Sequence, residues 1–354
     1  MQPMPDQPGP SRPRRRSSAP LGLFFAVAVA VAGATGIISA ADRQVGDVTR
    51  LSEFDDPERR AELGDVLVAV DGPAVNYLII GSDTRDGSDP TSTDFGSIGD
   101  QSAVQGRRSD TIMLLRQERD GNGAAILSLP RDLWVTIADT GNPQRINSAY
   151  NRGADVLAAT VSREFGIPIN HVVDVDFFGF KALVDEIGGT TICFEYQTRD
   201  TNTGLDQPPG CNLLDGTQAL AYARSRKYQE WRDGDWQTDG TGDLGRIKRQ
   251  QNFISTTVNQ TIERLQSDPF LASDLIQATT DSLRLDPNLD PLGAAGTLRK
   301  AFSSGLTTFQ LPVEGTTING NSVLLLIDNA ESQATLDYFR GVGPLPTPTT
   351  TVPG

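Results

Sequence analysis

Three polar segments border short apolar runs of strand-forming residues, and each carries side chains suited to phosphate or metal chemistry. Asp83 and Arg85 in GSDTR follow the run Val75–Gly81, Arg108 and Asp110 in RRSD precede Thr111–Arg116, and Arg131 with Asp132 in LPRD follows Ala124–Leu129. If the three runs form an antiparallel meander, the end of the first, the start of the second and the end of the third share one sheet edge. Asp83, Asp110 and Arg131 then converge. Two neighbouring carboxylates can hold Mg²⁺ (or Mn²⁺), a hard ion that leaves coordination places for phosphate and water. An adjacent arginine adds planar, bidentate phosphate recognition. Taken singly, an aspartate after a strand is more often a turn former.

A second group lies within 219–250. Asp215 is placed to cap a helix ending near Ala223, after which Arg224 and Arg226, two apart in an extended segment, project to the same side. Asp243 precedes LGRIKRQQ as an N-cap would. Arg246 and Gln250, four apart, stack on that helix near its positive start. Between 224 and 249 there are seven basic and five acidic residues in a strongly acidic chain. A helix start with nearby arginines suits phosphate; a solvated face with ordinary ion pairs is the plainer reading of the same charges.

The elements that must position these groups follow from patterning. The five runs Val75–Gly81, Thr111–Arg116, Ala124–Leu129, Val172–Phe177 and Thr190–Tyr196 are rich in β-branched and apolar residues and predict strands. Helical periodicity appears at 147–165, 178–187, 216–223 and over Leu244–Leu265, where Ile247, Ile254, Val258, Ile262 and Leu265 share a face. Further helices are expected near 269–285 and 290–303, and a late strand at Ser322–Ile327. The fold class is α/β, a mixed sheet with helices on both faces.

The chain has 354 residues, 37% of them hydrophobic, enough for a large domain with a real core. Leu21–Ala41 is uncharged and about as long as the roughly 20 apolar residues that span a bilayer. Arg12, Arg14, Arg15 and Arg16 precede it, which keeps 1–20 cytoplasmic and sends the rest outside. A cleaved signal peptide is the rival, but its apolar stretch is normally shorter, about 7–15 residues. The expected layout is a basic tail over 1–20, a membrane helix over 21–41, a stalk over 42–69, the catalytic domain over 70–343 and a Pro/Thr tail over 344–354. Setting aside the four arginines and one aspartate of 1–20 leaves 27 basic and 44 acidic residues, a formal charge of −17. Such a surface repels nucleic acid. Cys193 and Cys211 are the only cysteines. Outside the membrane they are expected to pair, the other reading being two unrelated buried thiols. His171, the single histidine, precedes a strand and is read as structural.

Taken together and in order, IIGSDTR, RRSDTIMLL, LSLPRDLWV, RINSAYNRGA, VVDVDFFGFKALVDEIGG and LLDGTQALAYARSRK…GDLGRIKRQQ resemble the LytR-CpsA-Psr family over about 75–265. The resemblance implies a sheet flanked by helices and a groove for a polyprenyl chain. The implied activity is a phosphotransferase that moves a phospho-glycan from a polyprenyl pyrophosphate carrier to peptidoglycan, releasing polyprenyl phosphate. By the same resemblance Asp83 and Asp110 are metal-associated, Arg131, Arg224, Arg226 and Arg246 are catalytic phosphate ligands with Asp243, and Gln250, Arg85 and Arg108 bind substrate. Phe177 and Phe180 are candidates for the lipid channel, although apolar residues at helical spacing are commonly ordinary core. The chain departs from the pattern in the long aromatic stretch 227–242, KYQEWRDGDWQTDGTG, and in Ala154. The same site with water as acceptor would make a polyprenyl-pyrophosphate hydrolase. A transcriptional regulator of the envelope would need a cytoplasmic basic reading element, which the acidic exterior and the topology deny.

Overall fold

The computed structural model describes residues 48–82, 109–120, 123–267 and 283–347. In chain order the strands are β1 (Thr49–Arg50), β2 (Ala74–Ser82), β3 (Ser109–Glu118), β4 (Ala124–Leu129), β5 (Trp134–Thr136), β6 (Pro143–Arg145), β7 (His171–Val175), β8 (Thr190–Phe194), β9 (Thr198–Asp200), β10 (Leu205–Gln207), β11 (Gly210–Leu214), β12 (Gln229–Arg232), β13 (Asp235–Thr238), β14 (Leu283–Leu285), β15 (Leu306–Gln310), β16 (Val313–Ile318) and β17 (Asn321–Leu326). The helices are α1 (Pro57–Leu63), α2 (Asn147–Tyr150), α3 (Ala154–Phe165), α4 (Phe177–Glu186), α5 (Gly216–Arg224), α6 (Gly242–Ser267), α7 (Pro291–Ser304) and α8 (Ala330–Arg340).

A mixed seven-stranded sheet in the order β1-β14-β7-β2-β3-β4-β15 carries the fold. Its central strands are apolar on both faces because both are covered. Tyr77, Ile79, Met113 and Leu115 pack with Leu183, Val184 and Phe253 of α4 and α6. Their neighbours Leu78, Ile80, Ile112 and Leu114 pack on the other face with Val156, Leu157 and Phe339 of α3 and α8. Local signals set the helix starts. Asp176 accepts the Gly179 N–H to open α4, and Asp215 with Gln218 forms a reciprocal cap on α5.

The structure differs from the sequence expectations in several places. The single helix over 147–165 is two, parted at Gly153, whose φ of 144° ordinary residues avoid. The stretch expected as a stalk joins the domain: β1 pairs with β14, and Val48, Leu51, Phe54 and Leu63 are buried. Residues 283–285, expected to end a helix, form β14, paired with β7 and β1; 268–282 lie outside the described residues. The strand expected over Val172–Phe177 stops at Val175, because Asp176 turns the chain into α4. Among the described residues no helix is long and apolar enough to cross a membrane, and Leu21–Ala41 lies outside them.

Candidate active site

β2 and β3 pair antiparallel, as do β3 and β4, while β7 runs parallel to β2 and antiparallel to β14. One edge of the sheet therefore collects the ends of β2, β4 and β7 with the starts of β3 and β14. This is the meander the sequence implied. Gly81 opposes Thr111 and Ser82 opposes Ser109, so Asp110 is the extra residue of a β-bulge, a device that re-aims residues at a strand end. A Cβ on Gly81 would stand 2.9 Å from the Thr111 Cβ, so glycine lets the strands close there. Arg131 lies two residues beyond β4 and is mostly buried, its carbonyl oxygen accepting the Asn147 N–H at 3.2 Å. Asp83, Arg85 and Arg108 fall outside the described residues; Asp110, Asp243 and Phe177 are placed here by backbone alone.

A second wall comes from α5 and α6. The Gln250 amide donates to the Thr111 hydroxyl and to the Ala223 carbonyl, each at 3.2 Å. That one side chain ties α6 to the bulged start of β3 and to the end of α5. Arg246, one turn earlier on α6, is only 2% exposed. Arg224 ends α5 and Arg226 follows two residues on, both half-buried. The expected helix-flank arginine is therefore a buried one, and Gln250 is a brace between elements. Asp243 lies inside the first turn of α6 instead of ahead of it.

The turn between the two arginine groups is fixed by a residue that carries no local mark of that role. Asp200, at the end of β9, is fully buried. Its Oδ2 accepts from the Ser225 hydroxyl at 2.7 Å and from the backbone N–H groups of Lys227 and Arg226 at 2.9 and 3.0 Å. Its Oδ1 accepts from the Asn202 N–H at 2.9 Å. Burial pushes its pKa up, but the Ser225 hydroxyl and the three N–H donors outweigh that and hold it below the ordinary value. Arg249 clamps the same turn, donating to the Ser225 carbonyl at 2.6 Å and to Asp239 at 2.9 Å, with its guanidinium 4.5 Å from the Tyr228 ring centre.

A buried network also underlies the end of β2. Arg284 of β14 reaches Asp174 at 2.8 Å, the Tyr150 hydroxyl at 2.9 Å and the Ser82 hydroxyl at 3.4 Å, while Tyr150 donates to Asp174 at 2.5 Å. Burial, reinforced by Asp174, pushes the Tyr150 hydroxyl well up. Burial likewise raises Asp176, against the Gly179 N–H and Arg284, which lower it. These groups sit directly below the residue preceding Asp83. Tyr150, Asp174 and Asp176 lie in segments that carry the family resemblance, but their buried partners and the three-residue β14 have no signature in local patterning.

Phe180 is 6% exposed, with its ring centre 5.4 Å from that of Phe253. His171 starts β7 at the opposite sheet edge, its Nδ1 3.2 Å from Asp286, in keeping with a structural role. Cys193 and Cys211 are directly opposed on β8 and β11 and are disulfide-bonded. Among the described residues no group of three or more His, Cys, Asp or Glu could hold a metal ion.

Residues 48–337 match the family model described as the LytR_cpsA_psr family. The chain is 30% identical over 311 residues to the polyisoprenyl-teichoic acid–peptidoglycan teichoic acid transferase TagU of Oceanobacillus iheyensis, covering 84% of this chain and 86% of that one. It is 29% identical over 302 residues to the cell wall biosynthesis protein LcpA of Corynebacterium glutamicum, covering 76% of this chain but only 54% of that relative's length. The fold is similar to that of a LytR-Csp2A-Psr enzyme from Actinomyces oris, with a TM-score of 0.59 and 24% identity over 75% of this chain and 89% of that one.

Proposed function

The chain belongs to the LytR-CpsA-Psr family, and on that premise we propose that it transfers a phospho-glycan from a polyprenyl pyrophosphate carrier to a hydroxyl of peptidoglycan. TagU's name supplies both classes, a polyisoprenyl-linked donor and a peptidoglycan acceptor. The observation that carries the reading in this chain is the Gln250 side chain, which bonds both the Thr111 hydroxyl and the Ala223 carbonyl and so ties α6, which bears Arg246, and the end of α5, which bears Arg224, to the bulged start of β3. In the reaction the acceptor oxygen forms a bond to the glycan-bearing phosphorus. The bond from that phosphorus to the bridging oxygen breaks, polyprenyl phosphate leaves and the hydroxyl proton is released.

Phosphoryl transfer depends on positioning and charge neutralisation, and losing one cationic stabiliser costs ~10²–10⁵ in rate in comparable systems. The arginines take that role here, the buried Arg246 most effectively because its charge is least screened by water. Asp83, which follows Ser82 in the chain, and Asp110 at the bulge are hard oxygen ligands by residue type, and we assign them to Mg²⁺ or Mn²⁺ on that ground. When bound, the ion would supply further charge neutralisation at phosphate oxygens. The basic flank and apolar run at the amino terminus support an extracytoplasmic catalytic domain anchored by one membrane helix.

The test is to incubate purified full-length protein with polyprenyl-pyrophosphate-linked glycan and peptidoglycan fragments. Covalent polymer–peptidoglycan product with equimolar polyprenyl phosphate is expected. Free phospho-glycan at the same rate with and without acceptor would make the protein a hydrolase instead.

A further inference from the structure

Residues 227–242, the stretch that departs from the family pattern, build a hairpin of defined shape. Asp233 and Gly234 both have positive φ, 55° and 84°, and form the two-residue turn that matches strand twist. β12 and β13 pair through it, and β12 continues onto β9, in a sheet ordered β10-β9-β12-β13. Cross-strand register puts Trp231 opposite Trp236, and Gln229 opposite both Thr238 and Arg199. Since side chains alternate along a strand, these groups share one face.

That face is braced. The two indole rings meet at 68° with centres 5.4 Å apart. The Arg199 guanidinium covers Trp236 at 3.9 Å and donates to the Gln229 side-chain oxygen at 2.9 Å, while the Gln229 amide donates to Thr238 at 3.1 Å. Trp231 remains 42% exposed. A single exposed apolar side chain needs no explanation. An exposed indole held by an aromatic partner, itself backed by a guanidinium beside an amide ladder, is a preorganised flat surface.

The hairpin is also fixed to the candidate active site. It begins directly after Arg226 and ends directly before α6, which carries Arg246. Its base is closed by the Asp239 N–H to the Tyr228 carbonyl at 2.8 Å, and Arg249 links both of those residues to α6.

We propose that this face, centred on Trp231 with Gln229, Arg199 and Thr238, docks the acceptor as a neutral saccharide chain. The inference rests on the transfer reaction proposed above and adds its acceptor side. A pyranose presents a flat C–H face that an indole can cover, and its hydroxyls match the amide, guanidinium and threonine along the ladder. Charge separates this occupant from the other macromolecule that favours exposed tryptophan, a lipid surface. Residues 227–239 carry two basic and four acidic side chains, Asp233 and Asp235 at the tip. Such a tip is repelled by an anionic membrane and is neutral towards an uncharged sugar.

The experiment uses full-length protein in detergent and an N-acetylglucosamine tetramer as probe, with binding measured calorimetrically and transfer kinetics measured against peptidoglycan fragments. Trp231→Ala is expected to weaken tetramer binding at least tenfold and to raise KM for the acceptor by a similar factor while kcat is held. Trp231→Phe should recover most of both. Because Trp231 is exposed, an unchanged thermal melt separates this from misfolding. No tetramer binding by the wild type, an unchanged acceptor KM in Trp231→Ala, or loss of binding to anionic vesicles instead would each overturn the proposal. If the wild type binds the tetramer through Trp231 yet never releases polyprenyl phosphate from donor, the saccharide surface stands and the transfer reading fails.

Discussion

Asp200→Asn tests whether the arginine turn is held by one buried carboxylate. Asparagine keeps the shape but loses the charge and has a single acceptor oxygen. Placed at the Oδ2 position, that oxygen still meets the Ser225 hydroxyl and the N–H groups of Arg226 and Lys227. The new NH₂ then faces the Asn202 N–H, which Oδ1 now accepts at 2.9 Å. Charge-assisted bonds are roughly twice as strong as neutral ones, so three weakened bonds and one opposed donor together cost about 3 kcal/mol. For a domain of this size that corresponds to a fall of roughly 6–12 °C in melting temperature. The larger effect should be on turnover, since the turn sets the separation of Arg224 and Arg226, and a displacement of about 1 Å can cost ~10²-fold in rate.

The charge leaves a second signature. A carboxylate held below its ordinary pKa contributes stability that is complete above the unfolded value, about 3.9 for aspartate, and is lost as pH falls through the depressed folded value. Asparagine has no such component. The gap in melting temperature between wild type and Asp200→Asn should therefore be constant above about pH 5 and narrow below about pH 4. Scanning calorimetry from pH 3 to 8, with transfer assays on the same preparations, measures both effects. A variant that melts within a degree of wild type and transfers at full rate would refute the positioning role, and a gap independent of pH would refute the ionised state.

The other predictions concern the reactive edge and the bridge. Arg246→Ala should lower transfer by ~10²–10⁵, and Arg246→Lys, which keeps a charge at this buried position but not the planar fork, should restore the melting temperature while leaving transfer well below wild type. Near-normal turnover in the alanine variant would remove Arg246 from the site. Chelation should abolish wild-type activity and added Mg²⁺ restore it, with Asp83→Asn and Asp110→Asn shifting the Mg²⁺ requirement upward; activity indifferent to chelator would eliminate the metal role. Non-reducing mass spectrometry of exported protein should show the Cys193–Cys211 linkage, and Cys211→Ser should cost about 3 kcal/mol by the loop-closure estimate for this spacing; an unchanged melt on reduction would refute that contribution.

What could be seen in the sequence was what repeats over several residues. β2, β3 and β4 are apolar on successive positions in the sequence and α6 has apolar residues at helical spacing there, so their existence and the meander's shared edge follow from patterning. β14 has three residues, too few to show any period, and the apolar positions at 48–63 are too sparse to distinguish a packed segment from a stalk. Two hairpins are legible at their turns. Asp233-Gly234 and Asn319-Gly320 are the dipeptides that favour positive φ at both turn positions, and each joins a pair of strands in the structure.

The candidate site divides along the same line. Arg131, Arg224, Arg226 and Arg246 stand out because they are guanidinium groups at strand and helix ends of a strongly acidic chain, inside the segments that carry the family resemblance. Asp200 does not, because an aspartate that accepts backbone N–H groups looks in sequence like any loop former. Its partners lie 25–27 residues away and become partners only once β9 and β12 pair. Arg284 is further removed still, 134 residues from Tyr150 and 202 from Ser82. It reaches them because a three-residue strand lies between β1 and β7. Groups that act on a ligand are thus marked by their own chemistry. Groups that hold them in place are marked only by topology, and the acid-dependence of Asp200 offers a direct measure of that holding.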